Sequence, residues 1–288
     1  MSFTPDAVFP LIYAEKGVFQ YQLVTDVSED ITLSGGNAFN AVADHASVLL
    51  PLELETVIRK SLLSWETQTR CHFTVENAGA SLRLTAEGFA AHAAHPSTGI
   101  NAISGLMSAL SELSPENELA RIATFYMEHI GFDLTGKGLG IDLTDEISGR
   151  LSFNVGKIEV CDHKVIFSID NRVPVTYRCA QVQELIQKQL IGSGFRFENP
   201  TESIHVPEDS FLVQTLMESY RNVTGDMSAK PLVDGACSYA RALDNCVAFG
   251  ALLPDQPDLM HQTNECLELD KLDLWMKIYL DAIYRLAK

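Results

Sequence analysis

Apolar residues recur with two different spacings along the chain, and the spacings predict its elements. GVFQYQLVTDV from Gly17 alternates apolar and polar positions, as a strand with one buried face does. ITLSGGNAFNAVADHASVLLP, SLRLTAEGFAAHA (broken at Gly88), GRLSFNVGKIEVC, KVIFSIDNRVPV and GFRFEN read as further strands. Between them the spacing shifts to that of helices. Leu52, Leu54, Val57, Ile58, Leu62 and Leu63 predict an apolar side for a helix over Pro51–Trp65. Ile100, Ile103, Leu106, Met107 and Leu110 do the same for Gly99–Leu113. Helices are also expected around Glu116–Ile130 and over Ala180–Leu190. A later helix has Pro207 near its first turn and Gly225 at its end. The last runs from Leu269 to Ala287, with Leu272, Trp275, Ile278, Tyr279, Ile283 and Leu286 on one side.

Strands alternate with helices, and a hairpin followed by a helix occurs twice, so the fold class is α/β with a weak internal recurrence. The segment FTPDAVFPLIYAEKG reads as the interior of a domain, a loop followed by the apolar strand Val8–Ala14. CVAFGALL (246–253), short and apolar between Asn245 and Pro254, reads as one buried strand. A boundary falls close to Ile204.

Composition narrows the function classes. With 46% hydrophobic residues the chain is expected to fold, and its 288 residues hold one large domain or two ordinary ones. A net charge of -17 repels nucleic acid and anionic lipid, so neither is expected as a partner. No apolar run reaches the length of a membrane helix, and the first residues lack the pattern of a signal peptide, so a cytoplasmic location is expected. The cysteines form no CxxC pair and read as reduced thiols. Gly-Lys-Gly-Leu-Gly (136–140) is not followed by Gly-Lys-Ser/Thr, and reads as a connection rather than a phosphate loop.

Candidate chemistry concentrates between Asp234 and Glu265. Gly235, Ala236, Cys237 and Ser238 are small residues before a short helical stretch, and are expected to leave backbone N–H groups uncovered for a carboxylate or oxyanion. His261 follows in a polar loop after a strand, where open α/β sheets collect ligands. Cys237 could be a nucleophile, but no cysteine-protease motif surrounds it, and a small turn residue is the better reading. Asp6 and His261 are plausible metal ligands in polar loops, yet a zinc site needs three or four protein ligands. HxD, Glu-Glu and HExxH are all missing from the sequence.

FTPDAVFPLIYAEKG, GFAAHAAHPSTGINA, the paired strands GRLSFNVGKIEV and VIFSIDNRVPV, and GACSYARALDNCVAFGALLPDQPDLMHQTNE together resemble the dinuclear zinc dipeptidases of the bacterial dipeptidase V and carnosinase type. The resemblance runs the length of the chain. It implies part of a zinc-peptidase catalytic α/β sheet (1–16 and 205–288) and an inserted α+β lid domain (17–204), ferredoxin-like with two units.

The same resemblance supplies roles. Asp6 and His261 match two zinc ligands, His92 the lid histidine that steadies the tetrahedral intermediate, and Arg172 the arginine that grips the C-terminal carboxylate of a short peptide. Asn40 matches a substrate-contacting asparagine, with Asn37 close by. Gly235, Ala236 and Cys237 match the carboxylate cradle, and Glu265 a residue behind His261. The remaining zinc ligands and the catalytic Glu pair would lie upstream of Met1, so the chain is expected to be inactive alone. The other reading is a non-catalytic remnant, a lid that binds peptides or self-associates through the incomplete sheet.

Overall fold

The structure is a computed structural model, and it describes residues 1–28, 30–113, 117–190, 194–198, 200–259 and 265–288. The chain forms two compact units, one of residues 17–202 and one of residues 1–16 with 203–288.

Unit 17–202 is built on an eight-stranded antiparallel sheet among the described residues. Its strand order is Gly194–Phe197, Gly17–Asp26, Lys164–Val173, Ser152–Cys161, Leu33–Gly35, His45–Pro51, Ser81–Glu87 and His72–Ala78. Helices α1 (Glu55–Thr69), α2 (Ala102–Ser111), α3 (Glu118–His129) and α4 (Cys179–Gln189) complete it. Asn101 and Asn117 start α2 and α3 by accepting the N–H groups of the first turn on their side-chain oxygens. Residues of all four helices and of the sheet join in one core cluster, so the two expected hairpin-plus-helix pieces share a single sheet and interior.

The pairing of Gly17–Asp26 with Lys164–Val173 assigns the sheet faces. Phe19, Tyr21 and Leu23 stand opposite Asn171, Ile169 and Phe167 on the core side, while Val18, Gln20 and Gln22 stand opposite Arg172, Asp170 and Ser168 on the other. Two expectations shift in this unit. The helix over Pro51–Trp65 begins as a 3-10 turn at Leu52–Leu54 and runs on to Thr69, burying Ile58, Trp65 and Thr69. Leu52, Val57 and Leu63 face solvent, because they fall outside the stripe that Leu54, Ile58, Leu62, Trp65 and Thr69 make at helical spacing. The strand SLRLTAEGFAAHA stops at Glu87. Beyond it the chain makes only isolated bridges, Phe89 to Ile100 and His92 to Ala41.

The other unit holds a mixed sheet in which Ser2–Thr4 pairs in parallel with Cys246–Ala248, and Ile12–Glu15 pairs with Cys246–Ala248, Ile204–His205 and Leu232–Asp234. Helices α5 (Phe211–Thr224) and α6 (Leu272–Leu286) pack against each other. Helix α5 starts four residues after Pro207, because Ser210 caps it by accepting the Val213 N–H, and it ends at Gly225 in the left-handed conformation. In α6, Trp275, Ile278 and Ala282 are buried, whereas Ile283 is among its exposed residues with Met276 and Leu280.

CVAFGALL is two strands, Cys246–Ala248 and Ala251–Leu252, in different sheets. The break is Gly250, at φ 80°, where an added Cβ would meet the Phe9 ring and the Tyr279 hydroxyl. Val8–Ala14 is likewise interrupted, with Ala7–Val8 and Ile12–Glu15 on either side of Pro10.

Candidate functional site

In the unit formed by residues 1–16 and 203–288, the turn after Leu232–Asp234 is dressed with carboxylates. Asp234 Oδ1 accepts the N–H groups of Gly235 at 2.6 Å and Ala236 at 3.2 Å. Glu15 Oε2 accepts the Ser238 N–H at 3.1 Å, and Asp6 Oδ2 accepts the Tyr239 N–H at 2.7 Å. The sequence predicts uncovered N–H groups here, and the structure corrects this. Backbone donors at Gly235, Ala236 and Ser238 are taken by the protein's own acids, because small residues that expose an N–H to a ligand expose it equally to a neighbouring carboxylate.

Asp6 lies in the exposed loop after Ser2–Thr4, so one end of its carboxylate is oriented by the turn. Cys237 is exposed at the crest of the same turn. A cavity of about 320 Å³ opens alongside, lined by His205, Pro207, Arg241, Asp244 and Cys246 among others. His261 lies outside the described residues. Glu265 is exposed and has a polar partner.

Glu15 and Arg241 lie in AEKG and YAR, where the sequence pattern marks neither as a site residue. Glu15 is 1% exposed and receives the Arg241 Nε at 2.9 Å. A charged residue at the end of an otherwise apolar strand was the readable signal, since a buried carboxylate requires a partner.

In the unit of residues 17–202, Asn40, His92 and Arg172 come together. Arg172 stands directly opposite Ser152 in the sheet, and the Ser152 hydroxyl donates to the Ala93 carbonyl at 3.2 Å. Ala93 N–H donates to the Asn40 carbonyl at 3.0 Å, and His92 bridges Ala41. Asn154, opposite Asp170, donates from Nδ2 to the carbonyls of Phe39 and Ala41 at 3.1 and 2.9 Å, fixing the loop that carries Asn40. Gly156 makes this approach possible, because a Cβ there would run into the Ala38 and Phe39 carbonyls.

His92 is exposed, and its Nδ1 accepts the Ala94 N–H at 3.2 Å. In the neutral ring the proton therefore sits on Nε2, which makes that nitrogen a donor. His95 is exposed too, but its backbone is engaged in the turn, with its carbonyl accepting from Thr98. Asn40 is exposed, as is Asn37.

Arg172 is 4% exposed. Its Nε and Nη2 donate to Asp170 Oδ1 and Oδ2 at 2.7 and 3.0 Å, and Gln20 Nε2 adds a third donor to Asp170 at 2.7 Å. A cavity of about 250 Å³ in the same unit is lined by Asn101, Ser104, Tyr126 and Asn154 among others. Burial raises the Tyr126 hydroxyl well above its ordinary pKa against the smaller opposing effect of its Ser104 hydrogen bond, so it is protonated throughout the physiological range.

Among the described residues no three His, Cys, Asp or Glu side chains converge to hold a metal. Asp6 offers one exposed carboxylate, which by itself does not fit a two-zinc centre. Among the described residues no helix is long and apolar enough to cross a membrane.

The model of the M20 peptidase dimerisation domain matches residues 76–190. A "Putative dipeptidase" of Staphylococcus haemolyticus is 33% identical over 302 residues, and another of Staphylococcus aureus is 32% identical over 301. Each alignment takes in 100% of this chain, which spans 64% of the length of those relatives. Among solved structures, an aminoacylhistidine dipeptidase from Vibrio alginolyticus aligns with 98% of this chain and 64% of its own, at 15% identity and a TM-score of 0.45. The similarity to the staphylococcal proteins thus runs from one end of the chain to the other around a recognisable domain. Residues 76–190 match the M20 peptidase dimerisation domain, and the chain as a whole is similar to these dipeptidase relatives.

Proposed function

We propose that the complete gene product is a metal-dependent dipeptidase of short peptides with a free C-terminus, and that residues 17–202 are its lid. The observation that carries this reading is the grouping of Asn40, His92 and Arg172 on one hydrogen-bonded patch, in a chain that aligns end to end with dipeptidase relatives. His92 Nε2–H is a donor suited to an oxygen that gains negative charge as a peptide carbonyl is attacked. Arg172 is a planar, permanently charged fork for a carboxylate. Asp170 already holds that fork, so a peptide carboxylate would share it rather than find it bare.

Residues 1–16 and 203–288 are the metal-side portion in this reading, with zinc as the metal and Asp6 and His261 as two of its ligands. The backbone at Gly235, Ala236 and Cys237 is the substrate-side turn. A substrate carboxylate there must displace the Asp234 carboxylate from the N–H groups of Gly235 and Ala236. We infer that the 288 residues alone do not hydrolyse peptides, because Asp6 and His261 are two ligands where a zinc site takes three or four. The dimerisation-domain match over residues 76–190 supports self-association, and the sheet of the other unit is a second candidate surface for it.

The test is hydrolysis of a panel of dipeptides by the complete gene product, with and without a chelator, and with C-terminally amidated peptides as controls. Chelator-sensitive cleavage that requires the free carboxylate supports the proposal. Peptide binding without cleavage would favour a non-catalytic lid, and neither cleavage nor binding would remove both readings.

A further inference from the structure

The ion pair of Glu15 and Arg241 is buried, and no step of the proposed chemistry uses it. Glu15 closes the strand Ile12–Glu15 at 1% exposure, and the Arg241 side chain is 11% exposed. Glu15 Oε2 accepts both the Arg241 Nε at 2.9 Å and the Ser238 N–H at 3.1 Å, while Oε1 accepts the Ser238 hydroxyl. Arg241 continues the linkage from Nη2, donating to the Lys16 carbonyl at 2.7 Å and to the Ala236 carbonyl at 3.3 Å. Ser238 and Arg241 are therefore tied to Glu15 and Lys16, and Arg241 closes the turn on the Ala236 carbonyl.

A buried ion pair is poor at adding stability, since the cost of desolvating two charges offsets most of their attraction. What it does well is fix one register, because an alternative placement of the turn would strand a buried charge. The next N–H along, that of Tyr239, is the donor that orients Asp6. Glu15 thus acts through Ser238 and Tyr239 on the backbone of the turn and on the Asp6 carboxylate together.

We propose that Glu15 and Arg241 are positioning residues, a clamp that sets the 235–239 turn, and through it the substrate-side backbone and Asp6. The functional part of this inference rests on the reading of that turn given above. The clamp itself does not.

The experiment compares three variants: Ser238→Ala, Glu15→Gln, and the double substitution Glu15→Leu/Arg241→Met. Amide hydrogen exchange across residues 234–242 and thermal melting are read on the 288-residue chain, and KM and kcat for a dipeptide on the complete gene product. Ser238→Ala is expected to speed exchange in the turn by about tenfold with little change in melting. Glu15→Gln should lower melting and loosen the turn together. The double variant should recover melting while the turn stays loose and KM stays raised, with kcat less affected.

Exchange that rises evenly over residues 1–16 and 203–288 in step with melting would overturn the proposal. So would a double variant that recovers protection as well as melting. If the double variant does not fold, Ser238→Ala decides by the same criterion. A selectively loosened turn with unchanged KM would keep the clamp and remove the substrate-side reading. A complete gene product that cleaves no dipeptide would refute the proposed function and leave the exchange measurements to decide the clamp.

Discussion

Asp170 and Arg172 stand two residues apart on one strand, and so on one face of the sheet, where they form a two-pronged ion pair at 0% and 4% exposure. Removing one partner leaves the other charge buried and unmatched. Asp170→Ala is expected to lower unfolding stability by about 3–5 kcal/mol, while Asp170→Leu with Arg172→Met recovers most of that loss. Urea unfolding of the 288-residue chain checks this. In the complete gene product Arg172→Lys should raise the Kd of a dipeptide and leave that of its amidated analogue unaffected, because the ammonium lacks the fork. Equal effects on both peptides would count against a carboxylate partner.

Asp145 gives the pH dependence. Burial pushes its carboxyl upward, but donors from Ser148 and Thr176 outweigh it and hold the group below the ordinary carboxylate range. A depressed pKa in the folded state contributes stability that is present above the unfolded value near about 3.9 and lost as pH falls through the folded value. Asp145→Asn should therefore cost about 1 kcal/mol near neutral pH, with the gap to the parent chain closing under acid conditions. Unfolding curves at stepped pH measure the gap, and one that stays constant into acid would refute the assignment.

His92 separates catalysis from folding. Its ring is exposed and its Nδ1 is engaged by the Ala94 N–H, so truncation removes little packing while deleting the Nε2 donor. His92→Ala is expected to change unfolding stability by less than about 0.5 kcal/mol. In the complete gene product it should lower kcat by about a hundredfold or more, with a smaller change in KM. An unchanged kcat would remove the donor role, and the same substitution at His95 is the control.

Local pattern made some of this legible and hid the rest for a physical reason. Helical spacing located α2 through Ile103, Leu106, Met107 and Leu110, all of which are buried. It could not show that Val57 and Leu63 face solvent, since an apolar residue near a stripe looks the same in sequence as one within it. The turn at Gly235 was visible as small residues, but its occupants were not, because Glu15 lies 223 positions from Ser238 and Asp6 lies 233 from Tyr239. Gly250 breaks a run that is apolar on both sides, so nothing in the spacing marks the break. Asp170 before Arg172 was the clearest missed signal, for alternate residues of a strand share a face and opposite charges there tend to pair.

The position of Asn40 depends on a residue without a side chain. Gly156 sits where the pairing of Ser152–Cys161 with Lys164–Val173 shifts register, and a Cβ there would press on the Ala38 and Phe39 carbonyls. That loop cannot simply retreat, because Asn154 Nδ2 holds the carbonyls of Phe39 and Ala41. Gly156→Ala must therefore break those bonds or bend the strand, at a cost of about 1–3 kcal/mol. The damage should reach the candidate site, with faster amide exchange at Ala93, whose N–H is held by Asn40, and at Val42, whose N–H is held by Ala91. Gly79 is the comparison, since its φ of 70° makes alanine strained although nothing lies near its added Cβ. Gly79→Ala should lose about 1 kcal/mol and leave exchange at Ala93 and Val42 unchanged after correction for stability. Equal exchange in the two variants after that correction would mean that Gly156 serves the sheet alone, and that Asn40 owes its place to something other than this approach.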